Sequence, residues 1–396
     1  MEKDAASGES RNRPRRSVKS IQRYSATFKT ERQLKKEMEC ATAEERNKKQ
    51  AKADTLPKHS FSFPGTKRMF RIVRLLGTGT TSHCYEIEDI STKIRYAMKK
   101  INQKDRNIAL REANIYENLY HDNILRCVGF FEDTQFVILV LHMCENDSLL
   151  DLLQKRERFT EFETCYFLHQ ILFACEYIHS SNYIHHDFKL NNIFLTKDLR
   201  VMIGDFGIST LASEPTKGLY GTPNYISPEM FNQDQPHTNK VDIWAIGIMA
   251  YVMLVGKPPF ETETVDETYQ KIKQNNVQFP EHVSSEARAL VLALLTSDPT
   301  KRPSAVEAKS MPFFDTELPP TLPKSCLTRP ATFWEVESIV DKRVNKKGQV
   351  EYLSNADILE EFEQKTEIDQ VEERRHSSEG KEHKKQRAHR TSSGWN

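Results

Sequence analysis

Residues 185–207 constrain this chain more than any other stretch. HHDFKLNN at 185–192 sets Asp187, Lys189 and Asn192 within six positions of one another. A second Asp, Asp205, follows 13 residues after Asn192, in IGDFG. A lone DFG is common by chance, but one at this distance from HHDFKLNN is not. Each polar residue has an ordinary reading on its own: His185 could be a satisfied core histidine, and the others solvated loop residues. Their order and spacing argue for chemistry.

Composition narrows the setting. The chain has 396 residues, enough for one large or two ordinary domains. Charged residues make up 29% and apolar ones 38%, which describes a water-soluble core with polar extensions. A formal charge of +1 provides no whole-chain field to recruit nucleic acid. No apolar run is long enough for a membrane span, and MEKDAASGES lacks an apolar signal segment. Seven cysteines without a CxxC pair fit a reducing, intracellular compartment rather than a disulfide framework or zinc site.

Texture divides the chain. Residues 1–66 read as a basic, disordered extension: 1–60 hold 16 Lys and Arg against 9 Asp and Glu, with few apolar positions. From Phe70, RIVRLL, HCYEIEDI, RYAMKKI and FVILVLHM read as strands, and residues 107–119 as a helix. Helical patterns then take over at 161–179, 241–255 and 285–295. A strand-rich first half and a helical second half define an α+β architecture of two lobes, about 67–142 and 145–315. Residues 316–334 are Pro-rich and read as extended along the surface. In the polar tail, 335–396, residues 354–375 carry Ile358, Leu359, Phe362, Ile368 and Val371 on one side of a possible helix. A docking helix and a frayed solvated one are equally compatible with that pattern.

Upstream, LGTGTTSHC at 76–84 places Gly77 and Gly79 after a strand, where glycine lets backbone N–H groups approach phosphate oxygens. A hairpin turn explains two glycines equally well. Lys99 lies 20 residues past Gly79, and Glu112 falls on the next helix. Together with HHDFKLNN and DFG, these segments resemble the protein kinase signature: a small β-rich lobe with one regulatory helix, and a larger helical lobe. The resemblance implies ATP and Mg²⁺ as cofactors and protein Ser or Thr hydroxyls as substrate. Asp187 would orient the substrate hydroxyl, Lys189 would stabilise the transferring phosphoryl group, and Asn192 and Asp205 would hold Mg²⁺. Lys99, paired with Glu112, would meet the phosphates. Lys189 in place of Ala marks Ser/Thr rather than Tyr kinases. Thr222 would line the substrate groove, Asp242 would hold the catalytic-loop backbone, Arg302 would pair with Glu229, and His185 and Phe206 would be structural.

The detail is similar to polo-like kinases over residues 68–334. The glycine loop ends in Cys84, and VGFFED, DFKLNNIFL, GTPNYISPEM and CLTRPATF follow the polo-like pattern. The resemblance implies that nucleotide contacts come from Leu76, Gly77, Thr78, Gly79, Thr80, Thr81, Ser82, His83, Cys84, Ala97, His142, Cys144 and Phe194, with Leu141 as gatekeeper. It implies a monomeric, cell-cycle-related enzyme of the nucleus, cytoplasm or centrosome.

Four departures qualify it. The polar tail reads as too short for two polo boxes, so polo-box phosphopeptide docking is not expected. His186 replaces the Arg that reads activation-loop phosphate. Residues 208–220 form a shortened loop with Gly218 where the family has its activating Thr, leaving Ser213 and Thr216 as other sites. A protonated His186 could read phosphate weakly. Glu145, Asn146 and Asp147 replace a basic run, which puts a preference for acidic substrates in doubt. Ser82 stands for the third glycine and Ser227 for Ala in Ala-Pro-Glu.

Two alternatives remain open. One is a pseudokinase scaffold, the other a Ser/Thr kinase of another, Aurora-like family. The basic runs at 11–19 and 381–390 could bind nucleic acid or simply be solvated.

Overall fold

A computed structural model describes residues 60–332, except 64, 80, 81, 233 and 317, together with 343–344 and 350–351. The possible helix at 354–375, the basic runs, and Thr80 and Thr81 lie outside the described residues. These fall into two compact units, one holding 60–316 and 324–330, the other 318–323, 331–332 and the later strand residues. In that second unit, β10 (Arg343–Val344) pairs antiparallel with β11 (Val350–Glu351).

The first unit begins with five antiparallel strands in the order β1-β2-β3-β5-β4. They are β1 (Phe70–Thr78), β2 (Ser82–Asp89), β3 (Arg95–Asn102), β4 (Cys127–Glu132) and β5 (Phe136–His142). Helix α1 (Arg106–Asn118) runs between β3 and β4. The two-residue period of a strand puts Ala97 and Lys99 on one face of β3 and Met98 on the other. Met98 packs with Phe70, Ile87 and Val140.

The folded lobe starts earlier than the expected boundary at residue 67. Phe61 and Phe70 exchange backbone hydrogen bonds of 2.8 and 2.7 Å. Phe63, 3% exposed, stacks on Phe131 at 4.3 Å. Phe61 and Phe63 thus belong to the apolar core beside the sheet. Two isolated phenylalanines in a polar stretch are too few for a periodic pattern to reveal them.

The helical part holds α2 (Leu149–Arg156), α3 (Glu161–Ser180), α4 (Lys240–Val255), α5 (Val265–Gln274), α6 (Ser285–Leu294) and α7 (Ala305–Lys309). Reciprocal capping boxes start α2 (Ser148 with Asp151) and α3 (Thr160 with Glu163). Apart from Asp242, helix α4 is apolar all round from Val241 to Leu254 and buried throughout, the signature of a central helix. It stops at Gly256, whose φ of +88° and approach to the Glu157 carbonyl leave no room for a side chain. Four short strands frame the loops between the lobes: β6 (Tyr183–Ile184) pairs with β9 (Thr210–Leu211), and β7 (Ile193–Leu195) with β8 (Val201–Ile203).

Within the segment expected to run extended along the surface, 316–334, residues 324–327 differ. Residues Lys324–Leu327 form a 3₁₀ turn, and Cys326 is 1% exposed. The Cys326 carbonyl accepts from Arg156, which is buried and bound in bidentate fashion to Glu163 at 2.9 and 3.0 Å. A buried guanidinium needs acceptors on several sides, and this segment supplies one.

Candidate active site

The ladder holds Lys99 opposite Cys84 and Leu139. Its ammonium donates to both Glu112 oxygens, at 2.7 and 2.8 Å, and to Asp205 Oδ1 at 2.7 Å. Burial alone would lower the Lys99 pKa, but the Asp205 and Glu112 carboxylates outweigh it and hold the group well above its ordinary value. Burial raises the Glu112 carboxyl, with Lys99 opposing. Asp205 is held at about 2, mainly by Lys99. A cation shared by two carboxylates leaves an ordered negative edge, and the Asp205 side chain is 42% exposed toward solvent.

Local backbone fixes this arrangement. Asp205 has φ +65°, its N–H donates to the Tyr116 hydroxyl at 3.1 Å, and Tyr116 packs edge-on against Phe206. Tyr116 escaped the sequence reading. Its position four residues after Glu112, on the same face of α1, was the available signal.

On the opposite side, Asp187 accepts from Lys189 Nζ at 2.7 Å, Asn192 Nδ2 at 3.0 Å and Thr222 Oγ1 at 3.1 Å. Lys189 also donates to Thr222 at 3.1 Å. The loop carrying these groups hangs from Asp242, wholly buried in α4. Asp242 accepts the His185 N–H at 2.9 Å, the His186 N–H at 2.8 Å and bonds His179 Nε2 at 2.9 Å. Burial would raise its pKa, but these donors leave it lowered. His185 is fully buried between Phe188 and Phe206, and its ring accepts the Asp187 N–H at 3.2 Å. Arg302 forms a bidentate pair with Glu229 at 2.7 and 2.9 Å.

His186 is 7% exposed, and its ring bonds Thr210 Oγ1 at 2.9 Å. Burial lowers its pKa to about 4, which favours the neutral ring near pH 7. Gly218 has φ +95°, a conformation that suits glycine. Of the acidic run, Glu145 accepts the Lys197 N–H, Asn146 donates to the Thr196 carbonyl, and Asp147 has φ +56°. These three residues shape their own turn.

For the nucleotide residues, Gly77 pairs with Cys84 and Thr78 with His83. The Gly79 N–H donates to the Ser82 carbonyl at 2.8 Å. A side chain at Gly77 would meet nothing within 4 Å, so protein packing does not require that glycine. Leu76, Ala97 and Phe194 are half-buried, and Ala97 pairs with Leu141. The His142 N–H already serves the Arg126 carbonyl, and burial pushes the Cys144 thiol up to about 12.

Oxygen donors face the space between Asp187 and Asp205. Asn192 spends its amide N–H on Asp187, which leaves its carbonyl oxygen, and Asp205 gives Lys99 only one oxygen. Among the described residues no cluster of three or more His, Cys, Asp or Glu could cage a metal. One carboxylate and one amide oxygen fit Mg²⁺, which keeps waters and takes its remaining ligands from phosphates.

Comparison with known proteins agrees with this geometry. The protein kinase domain profile matches residues 70–314, and the chain belongs to the protein kinase family. Its relatives are polo-like. The chain is 41% identical to Serine/threonine-protein kinase PLK1 of Xenopus tropicalis over 295 residues, 72% of this chain and 49% of that protein. It is 37% identical to Serine/threonine-protein kinase polo of Drosophila melanogaster over 292 residues, covering 71% and 50%. It is 36% identical to Cell cycle serine/threonine-protein kinase CDC5/MSD2 of Saccharomyces cerevisiae over 273 residues, covering 66% and 39%. The chain thus spans about half the length, or less, of these relatives.

Proposed function

We propose that this chain is a polo-like Ser/Thr protein kinase that uses ATP and Mg²⁺ to phosphorylate protein hydroxyls. The observation that carries the reading is a pair of hydrogen-bonded clusters near enough for Lys189 to act electrostatically on Asp205: Lys99 held by Glu112 and Asp205, and Asp187 with Lys189 and Thr222. Mg²⁺-bound ATP supplies the phosphoryl group and offsets its charge. Asp187 accepts a hydrogen bond from the incoming Ser or Thr hydroxyl and orients it. Lys189, already bridging Asp187 and Thr222, stabilises negative charge as it develops. Asn192 and Asp205 present oxygen ligands for the metal, and Lys99 presents an ammonium for the phosphates. The open space at Gly77 lets backbone approach phosphate, and the His142 carbonyl and Cys144 backbone serve the adenine edge.

The reading extends to cell-cycle-related signalling in the nucleus or cytoplasm, by likeness to the relatives. Among the described residues, no helix is long and apolar enough to cross a membrane. Independence from activation-loop phosphate belongs to the same proposal, supported by a neutral, buried His186 and a glycine at 218. The test is peptide-array phosphorylation by purified protein, with and without phosphatase treatment. Mg–ATP-dependent transfer that disappears in Asp187→Asn supports the kinase. Partner binding without turnover would favour the scaffold, the reading to which Ser82 and His186 lend weight.

A further inference from the structure

A second histidine faces the loop that the kinase reading leaves without a phosphate clamp. His237 precedes α4 and is 6% exposed. Its backbone N–H donates to the Thr216 carbonyl at 2.8 Å. Its ring lies 5.8 Å from that of Tyr220, nearly perpendicular, and 5.5 Å from that of His186. The Gly218 carbonyl approaches the ring without reaching ordinary hydrogen-bond geometry. The His237 ring therefore faces the loop at 218 and 220, and its backbone N–H holds 216. His186 holds the other end of the loop through Thr210, whose hydroxyl also receives one from Thr216 at 3.3 Å.

The path from this cluster to the reacting groups is short. Gly221 follows Tyr220 with φ +92°, and a side chain there would stand 2.6 Å from the His186 carbonyl oxygen. The backbone thus crosses directly over His186. The next residue, Thr222, bonds Asp187. We propose that His186 and His237 form a phosphate-independent clasp, with His237 as a positioning residue that sets the 208–220 loop, and through Thr222 the substrate groove. The inference rests on the kinase reading and deepens its regulation.

The chemistry of the clasp has a sign. Two neutral imidazoles, an aromatic ring and two hydroxyls offer a dianion no cation, and the Asp242 carboxylate stands behind His186. A phosphate at Thr216 would replace the hydroxyl that donates to Thr210 and would open the clasp. Phosphorylation there inhibits, the reverse of the usual loop switch.

The test uses the full chain. His237→Ala should raise the KM for a peptide substrate about tenfold or more while leaving the KM for ATP unchanged, the mark of a misplaced groove. Because the ring nitrogens lack partners, His237→Phe should restore the peptide KM. Thr216→Glu should lower activity. Amide hydrogen exchange across 208–220 should accelerate in His237→Ala, while exchange in α1 stays as in the wild type. An unchanged peptide KM and unchanged exchange in His237→Ala would overturn the clasp, as would activation by Thr216→Glu or loss of wild-type activity on phosphatase treatment. If His237→Ala fails to fold, wild-type peptide KM in His237→Phe with wild-type exchange supports the clasp, and loss of either in that variant overturns it. Absence of any Mg–ATP-dependent transfer by the wild type refutes the kinase reading instead, and the exchange comparison still decides the clasp.

Discussion

Asp242→Asn is the change that should couple stability to catalysis most directly. Asp242 Oδ2 serves the His185 N–H and His179, and Oδ1 serves the His186 N–H. An amide is the same size but has one acceptor oxygen. Whichever way it turns, its NH₂ group confronts at least one buried N–H. An unsatisfied buried donor costs about 1–3 kcal/mol, and each remaining bond loses about 1 kcal/mol of charge assistance. The sum is about 3–5 kcal/mol, the range for breaking a buried charged contact. For a domain of this size, that lowers Tm by roughly 10 °C. His186 is held at φ +65° by this contact, and Asp187 follows it. A shift of about 1 Å at Asp187 should cost on the order of 100-fold in kcat/KM. The assays are thermal unfolding and peptide phosphorylation well below the new Tm. A variant that melts within about 2 °C of the wild type and keeps kcat/KM would refute the claim that Asp242 suspends the catalytic loop.

Other predictions concern separate parts of the molecule. Lys99→Arg cannot reproduce three contacts at 2.7–2.8 Å from one nitrogen, so kcat/KM should fall by roughly 100-fold or more with little change in Tm; steady-state kinetics and melting check both. His186 should make stability acid-sensitive: its folded pKa of about 4 lies below the unfolded value of about 6.5. The unfolded chain then binds more protons, so the contribution is complete above pH about 6.5 and is lost as pH falls toward about 4, worth about 3 kcal/mol. Urea unfolding from pH 4 to 7 should show a slope that His186→Gln flattens. Phe63→Ala should cost about 3–5 kcal/mol by emptying the space against Phe131, and a chain begun at residue 67 should lose at least as much Tm. Arg156→Ala should destabilise by about 3 kcal/mol by stranding Glu163, with faster proteolysis near residues 324–330 as the readout.

Much of the site was legible because its chemistry needs fixed residue types at short spacings. Asp187, Lys189 and Asn192 lie within one loop, and DFG names its own turn. The strand lysine and helix glutamate were legible as a pair only through the family pattern, since 13 residues separate them and either could be a surface charge. Helix α4 announced itself by being apolar on every side but for Asp242. Phe61, Phe63, Cys326 and Arg156 did not, because a few apolar or charged residues in polar, Pro-rich stretches carry no period. Their burial depends on partners such as Phe131 and Glu163.

HHDFKLNN followed by DFG, with LGTG and Lys99 before it, was enough by itself to determine the protein kinase class and to nominate the candidate site residues. Tertiary structure alone decided how those groups are held. Asp242 comes 57 residues after His185 yet supports its backbone from a buried helix, and His237 reaches back to Thr216 and His186. It also bears on the state of His186, which the sequence left as either a neutral ring or a cationic phosphate reader. Burial favours the neutral ring, because the cost of charging an imidazole depends on what surrounds it, and those surroundings come from residues far apart in the chain.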